Sequence, residues 1–386
     1  MIYLDNSATT FPKPDSVISA MTDFMKNTCA NPGRSGHKMA QETNREILMA
    51  RMDMAKLFNI ANPMQLIFTK NASEALNIAI LGYVKKGDHV ITSCMEHNSV
   101  LRPLNYLKDI GDIELSIVSS DDEGFVHAKD IAVELKPNTT LVAVTHASNL
   151  TGSINDIKEI AKTIATENLN RENKISLLVD AAQTAGLVDI DVNEMGIDML
   201  AGAGHKSLYG PTGTGFLYVS ENIKLEPLYR GGTGSISESL IQPDFMPDML
   251  ETGTLNASGI VGLKAGINYI VEKDIQKLRE KQQNMIAKLI SEFSKIENVK
   301  IFGSKDSKKR ASAVSINIGD RDSQEITYLL SDKYDIATRG GKHCAPLAHK
   351  RMGTLEQGMV RISISSFTTD EEINSVINAV KELAQG

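Results

Sequence analysis

Between residues 65 and 219 the chain repeats one pattern, a short β-rich apolar run followed by an amphipathic stretch of helical period. The runs 65–69 (QLIFT), 89–93 (HVITS), 113–118 (IELSIV), 140–146 (TLVAVTH) and 175–180 (ISLLVD) read as buried strands. The stretches 73–84, 99–110 and 156–167 between them read as helices. Alternation of this kind implies an α/β fold, a mainly parallel sheet with helices on both faces. Sites in such sheets gather at the carboxyl ends of the strands.

The pattern changes near Gly259. A long helix is expected over about 260–296, then strands over 299–302, 311–318 and 360–365 separated by helices. The expected division is a large domain over 16–258 and a smaller α+β domain built from 1–15 and 259–386.

Composition narrows the function. The 386 residues carry 41 Lys+Arg against 48 Asp+Glu, a formal charge of −7, which argues against a nucleic-acid binder. With 41 % hydrophobic and 23 % charged residues, disorder is excluded. No apolar run approaches the ~18 residues of a membrane span. The start, MIYLDNSATTFPKPDSV, lacks a basic stretch followed by an apolar block, so no secretory signal is read. Cys29, Cys94 and Cys344 are too few and scattered for a disulfide framework or a CxxC metal site. The expectation is a cytoplasmic protein with no metal, no nucleic acid and no membrane partner.

The most informative segment is 198–219, DMLAGAGHKSLYGPTGTGFLYV. Lys206 follows an apolar run in a Gly-rich turn, where a lysine can form a Schiff base with a carbonyl cofactor. A lone lysine there is an ordinary turn residue, so the neighbours decide. Asp180 ends the apolar run LLVD, placed either to cap a turn or to keep a pyridine nitrogen protonated. Gln183 lies three residues on, within range of a phenolic oxygen on the same ring. His97, in SCMEHNS, follows another strand and is suited to stack on a flat ring and relay protons. In LIFTKNASEALNIA a helix begins near Ser73, offering unpaired N–H groups, a helix dipole and a hydroxyl to an anion. Ser is equally a favoured N-cap with no ligand. A lysine, an aspartate, a histidine and a Ser-bearing helix start, each at the end of a separate strand, are together what pyridoxal phosphate needs.

With those residues in place, the chain resembles the cysteine desulfurase/selenocysteine lyase family, class V aminotransferase-like enzymes of the fold-type I pyridoxal-phosphate class. The likeness runs nearly end to end through YLDNSATTFPKP, TKNASEALN, EHNS, HASNLTG, VDAAQ, GHKSLYGPTGTGFLYV, ETGTLN, RGGKHCAPL and VRISIS. The resemblance implies that Lys206 holds the cofactor, Asp180 and Gln183 contact its ring, and His97 stacks on it. It implies that Ala72, Ser73 and His205 surround the phosphate. Thr254 would reach the phosphate of the other subunit's cofactor, which makes the protein a homodimer. Arg361 would hold the substrate carboxylate, supported by Asn149, and Arg34 and Arg339 would line the site. Many relatives carry Ser or Thr where this chain has Ala203, so one phosphate donor is missing.

Cys344 lies in TRGGKHCAPLAHK, whose Arg339, Lys342 and His343 favour the thiolate. The reaction implied is desulfuration of L-cysteine to L-alanine, with the sulfur passing to Cys344 as a persulfide and then to an acceptor protein or thiol. L-selenocysteine is the alternative substrate, because the short stretch around Cys344, without a long flexible insertion, resembles the branch that includes selenocysteine lyases. Other class V chemistry such as transamination, and a catalytically silent scaffold, are the competing readings. Lys206, Asp180 and Arg361 together argue against the scaffold.

Overall fold

In the computed structural model, which describes residues 1–33 and 36–385, seven strands form one sheet. Their spatial order is Leu66–Thr69, Gly215–Val219, Met199–Ala203, Ser176–Asp180, Thr139–Thr145, His89–Ser93 and Glu114–Val118. Only Gly215–Val219 runs against the rest; it pairs antiparallel with both neighbours.

Side-chain alternation explains why both faces are covered. Leu66 and Phe68 enter one core and Ile67 the other. Val142 and Val144 likewise face away from Leu141 and Ala143. A strand apolar at every position is stable only between two apolar layers. Helices Ala72–Tyr83 and Asn98–Asp109 supply one layer through Leu76, Ile80, Val100 and Leu104. Helices Lys38–Leu57, Ile157–Asn168 and Ala257–Lys273 supply the other.

The long helix expected over 260–296 is two helices, Ala257–Lys273 and Ile275–Phe293. Asp274 breaks them apart at φ 66°, and its carboxylate accepts from the Gln276 N–H at 2.9 Å, capping the second. The break redirects the chain between cores. Ile260, Leu263 and Ile267 pack under the large sheet, whereas Met285, Leu289 and Phe293 pack in a second core.

That second core lies beside a three-stranded antiparallel sheet, Val360–Ser363, Ala313–Ile318 and Val299–Phe302. The chain's first residues are sewn onto this region. Strand Ile2–Tyr3 pairs in parallel with Ile336–Ala337, Leu4 enters the second core, and the Asn6 N–H donates to the Ser363 carbonyl at 3.3 Å. Among the described residues no helix is long and apolar enough to cross a membrane.

Candidate active site

At the carboxyl ends of the parallel strands lies a cavity of about 220 Å³. It is lined by Ala72, Ser73, His97, Asn149, Asp180, Gln183, His205, Lys206, Arg339 and Arg361, and by Ala203. Ten positions that the sequence singled out for one chemistry therefore share one wall. Thr254 lies elsewhere, exposed on a separate groove of about 650 Å³. Arg34 lies outside the described residues.

Lys206 follows strand Met199–Ala203, in the turn that the antiparallel Gly215–Val219 closes. Burial lowers its ammonium to about 8, partly opposed by Asp180, with Arg361 and Arg339 pushing further down. The shift moves the lysine toward the neutral, nucleophilic form. Asp180 is 5 % exposed, and its Oδ1 accepts from the Ala182 N–H at 2.8 Å. Burial raises its carboxyl, against the Ala182 hydrogen bond and the Lys206 charge. Gln183 donates from Nε2 to the Ser7 carbonyl at 3.2 Å, so the N-terminal segment fixes it.

His97 caps helix Asn98–Asp109. Its Nδ1 accepts from the Ser99 N–H at 3.0 Å. A backbone N–H can only donate, so the neutral ring carries its proton on Nε2. Burial first, then the charges of Lys206, Arg339, Arg102 and Arg361, push His97 down to about 4. It is neutral at physiological pH.

Helix Ala72–Tyr83 begins at the cavity wall. Asn71 caps it by accepting from the Glu74 N–H at 2.9 Å, leaving the first-turn N–H groups for an anion. Ser73 Oγ lies 2.5 Å from Ser99 Oγ. His205 adds a buried Nδ1 with no partner among the described residues. A helix start, two hydroxyls and an unsatisfied imidazole nitrogen suit a phosphate. A buried carboxylate and a buried lysine beside them suit a protonated ring nitrogen and a carbonyl carbon. The donor set fits pyridoxal phosphate.

Arg361, 1 % exposed, is aimed by two acceptors. Its Nη2 donates to Asp5 at 2.8 Å and its Nη1 to the Asn149 carbonyl at 3.0 Å, while its Nε has no partner among the described residues. Asn149 thus orients Arg361 through its main chain. Its side-chain Nδ2 donates to the His343 carbonyl at 2.7 Å.

Cys344 is exposed, and it adjoins the cavity-lining His343. Both residues have positive φ, 50° at His343 and 56° at Cys344. Each such non-glycine residue costs on the order of 1–3 kcal/mol, so neighbours must hold this turn. The Asn98 N–H donates to the Cys344 carbonyl at 2.8 Å, which joins the thiol-bearing turn to the residue after His97.

Two residues here escaped the sequence reading. Asp5 pairs with Arg361 from the far end of the chain. Glu96 is wholly buried beneath the site. Its Oε1 accepts from Ser93 Oγ at 2.5 Å and from the Thr145 N–H at 3.0 Å, its Oε2 has no partner among the described residues, and burial raises its carboxyl to about 8. Its adjacency to His97 in EHNS was the one available signal.

Fold and cavity together define a fold-type I transferase. The chain belongs to the aminotransferase class-V family, whose model matches residues 2–376. It is similar to a probable cysteine desulfurase of Methanothermobacter thermautotrophicus, 35 % identical across 99 % of this chain and 94 % of that protein. Among solved structures, the apo cysteine desulfurase of Thermococcus onnurineus NA1 superposes with a TM-score of 0.92 at 32 % identity, covering 100 % of this chain and 95 % of that one. The cysteine desulfurase CsdA of Escherichia coli, in an S-sulfonic acid form, superposes with a TM-score of 0.88 at 25 % identity, covering 99 % and 94 %.

Proposed function

We propose that this protein is a pyridoxal-phosphate-dependent cysteine desulfurase. The observation that carries the reading is the attachment of the Cys344 turn to the cavity, through Asn98 and Asn149. A transaminase has no use for a thiol at that place.

Lys206 would carry the covalent link to the cofactor and, once displaced, move the substrate's α-proton. Asp180 would sit at the ring nitrogen, Gln183 at the ring oxygen and His97 against the ring face. Ala72, Ser73 and His205 would hold the phosphate, without a hydroxyl at Ala203. When bound, pyridoxal phosphate supplies an electron sink that acidifies the substrate α-carbon. Arg361 binds the substrate carboxylate, with Arg339 beside it. The Cys344 thiolate attacks the sulfur of L-cysteine; an S–S bond forms, the C–S bond breaks, and the carbon takes the electron pair and a proton. The products are L-alanine and a persulfide on Cys344, from which an acceptor protein or thiol takes the outer sulfur.

The same reading makes the protein a homodimer, with Thr254 on the groove beside Glu251 serving the second copy's site. Exposed Met49, Met52 and Phe245 are apolar surface that a second copy would cover. Sedimentation tests this, and a monomer holding cofactor tightly overturns it. Three free thiols suit the reducing cytoplasm. The two-domain division, 16–258 against 1–15 with 259–386, belongs to this reading also.

The test is alanine release from L-cysteine with mass spectrometry of the Cys344 peptide. One added sulfur on that peptide is expected, and alanine release without it refutes the mechanism. Parallel rates with L-selenocysteine decide the preferred chalcogen.

A further inference from the structure

The segment after Cys344 carries a second histidine that the reaction above does not use. His349 is wholly buried, in helix Pro346–Arg351. Its ring lies nearly parallel to that of His343, at 9°, with ring centres 5.7 Å apart. The facing nitrogens, His343 Nδ1 and His349 Nε2, are only 3.5 Å apart, so the rings meet edge to edge and not face to face.

The partners fix the direction of every proton. His343 Nε2 lies 3.1 Å from the Arg339 carbonyl, which only accepts, so Nε2 carries the proton and Nδ1 is a lone pair. His349 Nε2–H must then donate to it, since the other placement sets two lone pairs against each other. That leaves His349 Nδ1 as the acceptor for the Thr354 hydroxyl at 2.8 Å, with the Thr354 carbonyl a longer contact at 3.3 Å. The result is a one-way chain from Thr354 through His349 and His343 to the Arg339 carbonyl. That carbonyl also accepts from the Arg361 N–H at 2.8 Å.

We propose that His349 and Thr354 are positioning residues for Cys344, holding by this chain the left-handed His343–Cys344 turn that presents the thiol. The inference rests on the desulfurase reading for its purpose, though not for its geometry. The chain requires a neutral His343, because a second proton on its Nδ1 would point N–H at the His349 Nε2–H; a second proton on His349 would go to Nδ1 and face the Thr354 oxygens. Burial first, and then Arg361, Arg339 and Lys342, hold His343 at about 3 and His349 at about 4. Among the described residues the charges that act on the pair are positive; the Arg339 and Thr354 carbonyls favour an imidazolium, and burial outweighs them.

The test compares His349→Phe, which fills the space without bonding, His349→Gln, whose amide both accepts and donates, and the milder Thr354→Val. In the wild type, NMR should find both rings neutral from about pH 6 to 8 with the proton on Nε2. His349→Phe should lower kcat for alanine release about tenfold at unchanged KM, the rate equivalent of one lost hydrogen bond. His349→Gln should restore most of it, and Thr354→Val should fall between. Independently of turnover, hydrogen exchange at the Asn98 amide, which donates to Cys344, should quicken in His349→Phe and not in His349→Gln. If His349→Phe fails to fold, Thr354→Val carries the same readouts. A proton on His343 Nδ1, or unchanged Asn98 exchange with wild-type kcat in the variants, overturns the proposal. If the wild type releases no alanine from L-cysteine, the activity reading fails, and the tautomers and Asn98 exchange still decide this one.

Discussion

The Arg361 guanidinium donates to the Asp5 carboxylate at 2.8 Å across 356 residues of chain. This contact and the Asn149 carbonyl leave the fork of Arg361 already oriented, with Nε buried and unpartnered among the described residues. A pre-aimed guanidinium loses little freedom when a carboxylate arrives, and a lysine reproduces its charge without its planar pair of donors. Arg361→Lys should therefore raise KM for L-cysteine by about 10- to 100-fold, the equivalent of one charge-assisted hydrogen bond, with a smaller effect on kcat. Steady-state alanine release measures both, and an unchanged KM would remove Arg361 from carboxylate binding.

Burial moves Lys206 toward the neutral form, with two carboxylates, Asp180 and Asp5, opposing. Lys206→Ala should leave the protein folded and abolish any borohydride-reducible bond to added pyridoxal phosphate. Retention of such a bond in the variant would reassign the lysine.

Cys344→Ala should lose alanine release from L-cysteine by orders of magnitude, because carbon-bound sulfur leaves poorly without a thiolate to take it. Release from L-selenocysteine should fall much less, selenium being the softer and more acidic leaving group. Cys29→Ala and Cys94→Ala should spare both substrates; Cys94 packs against the main core instead of facing substrate. A persulfide found only on Cys29 or Cys94 would refute the assignment.

Glu96 gives a prediction about stability. Its carboxyl is raised to about 8 in the folded protein. Below the unfolded carboxylate range it is protonated in both states and costs nothing. As pH rises toward 8 the unfolded chain releases this proton and the native state keeps it, so stability falls, on the order of a few kcal/mol. Glu96→Gln lacks the proton. Its stability relative to the wild type should therefore climb between about pH 5 and 8, read as denaturation midpoints. A constant difference across that range would show Glu96 to be ionised in the fold.

Arg51 and Glu251 form a buried bidentate pair at 2.9 and 2.8 Å, and the Phe68 N–H also donates to Glu251 at 2.7 Å. Removing one partner strands the other charge. Glu251→Ala should cost about 3–5 kcal/mol. Replacing both residues by apolar ones should recover part of the loss. Additive losses in the double variant would mean that the pair does not act as a unit.

The parts of this site that were legible in the residues were those where a polar group interrupts an apolar run. Asp180 after LLV and Lys206 after an apolar strand announce themselves, because a buried strand end gives a charge no reason to be there except chemistry or a cap. Asp5, Glu96 and His349 were silent for a different reason. Each takes its meaning from a partner brought by tertiary folding: Arg361, the Thr145 amide and His343. The break at Asp274 was hidden too, since apolar spacing continues through it and only the direction of the chain changes.

The joining of residues 2–7 to Ile336–Ala337 and Ser363 has a consequence for synthesis. A ribosome makes the large sheet's strands in sequence, and domains commonly fold as they emerge, N-terminal part first. Here residues 2–7 must wait for partners made more than three hundred residues later. Until strand Val360–Ser363 leaves the ribosomal tunnel, Asp5 has no arginine and Gln183's partner Ser7 has no anchor at Ser363. A nascent chain can thus hold Lys206, Asp180 and His97 on a formed sheet before Arg361 and Asp5 meet, so the contact that aims the guanidinium is completed only after residue 361 has emerged.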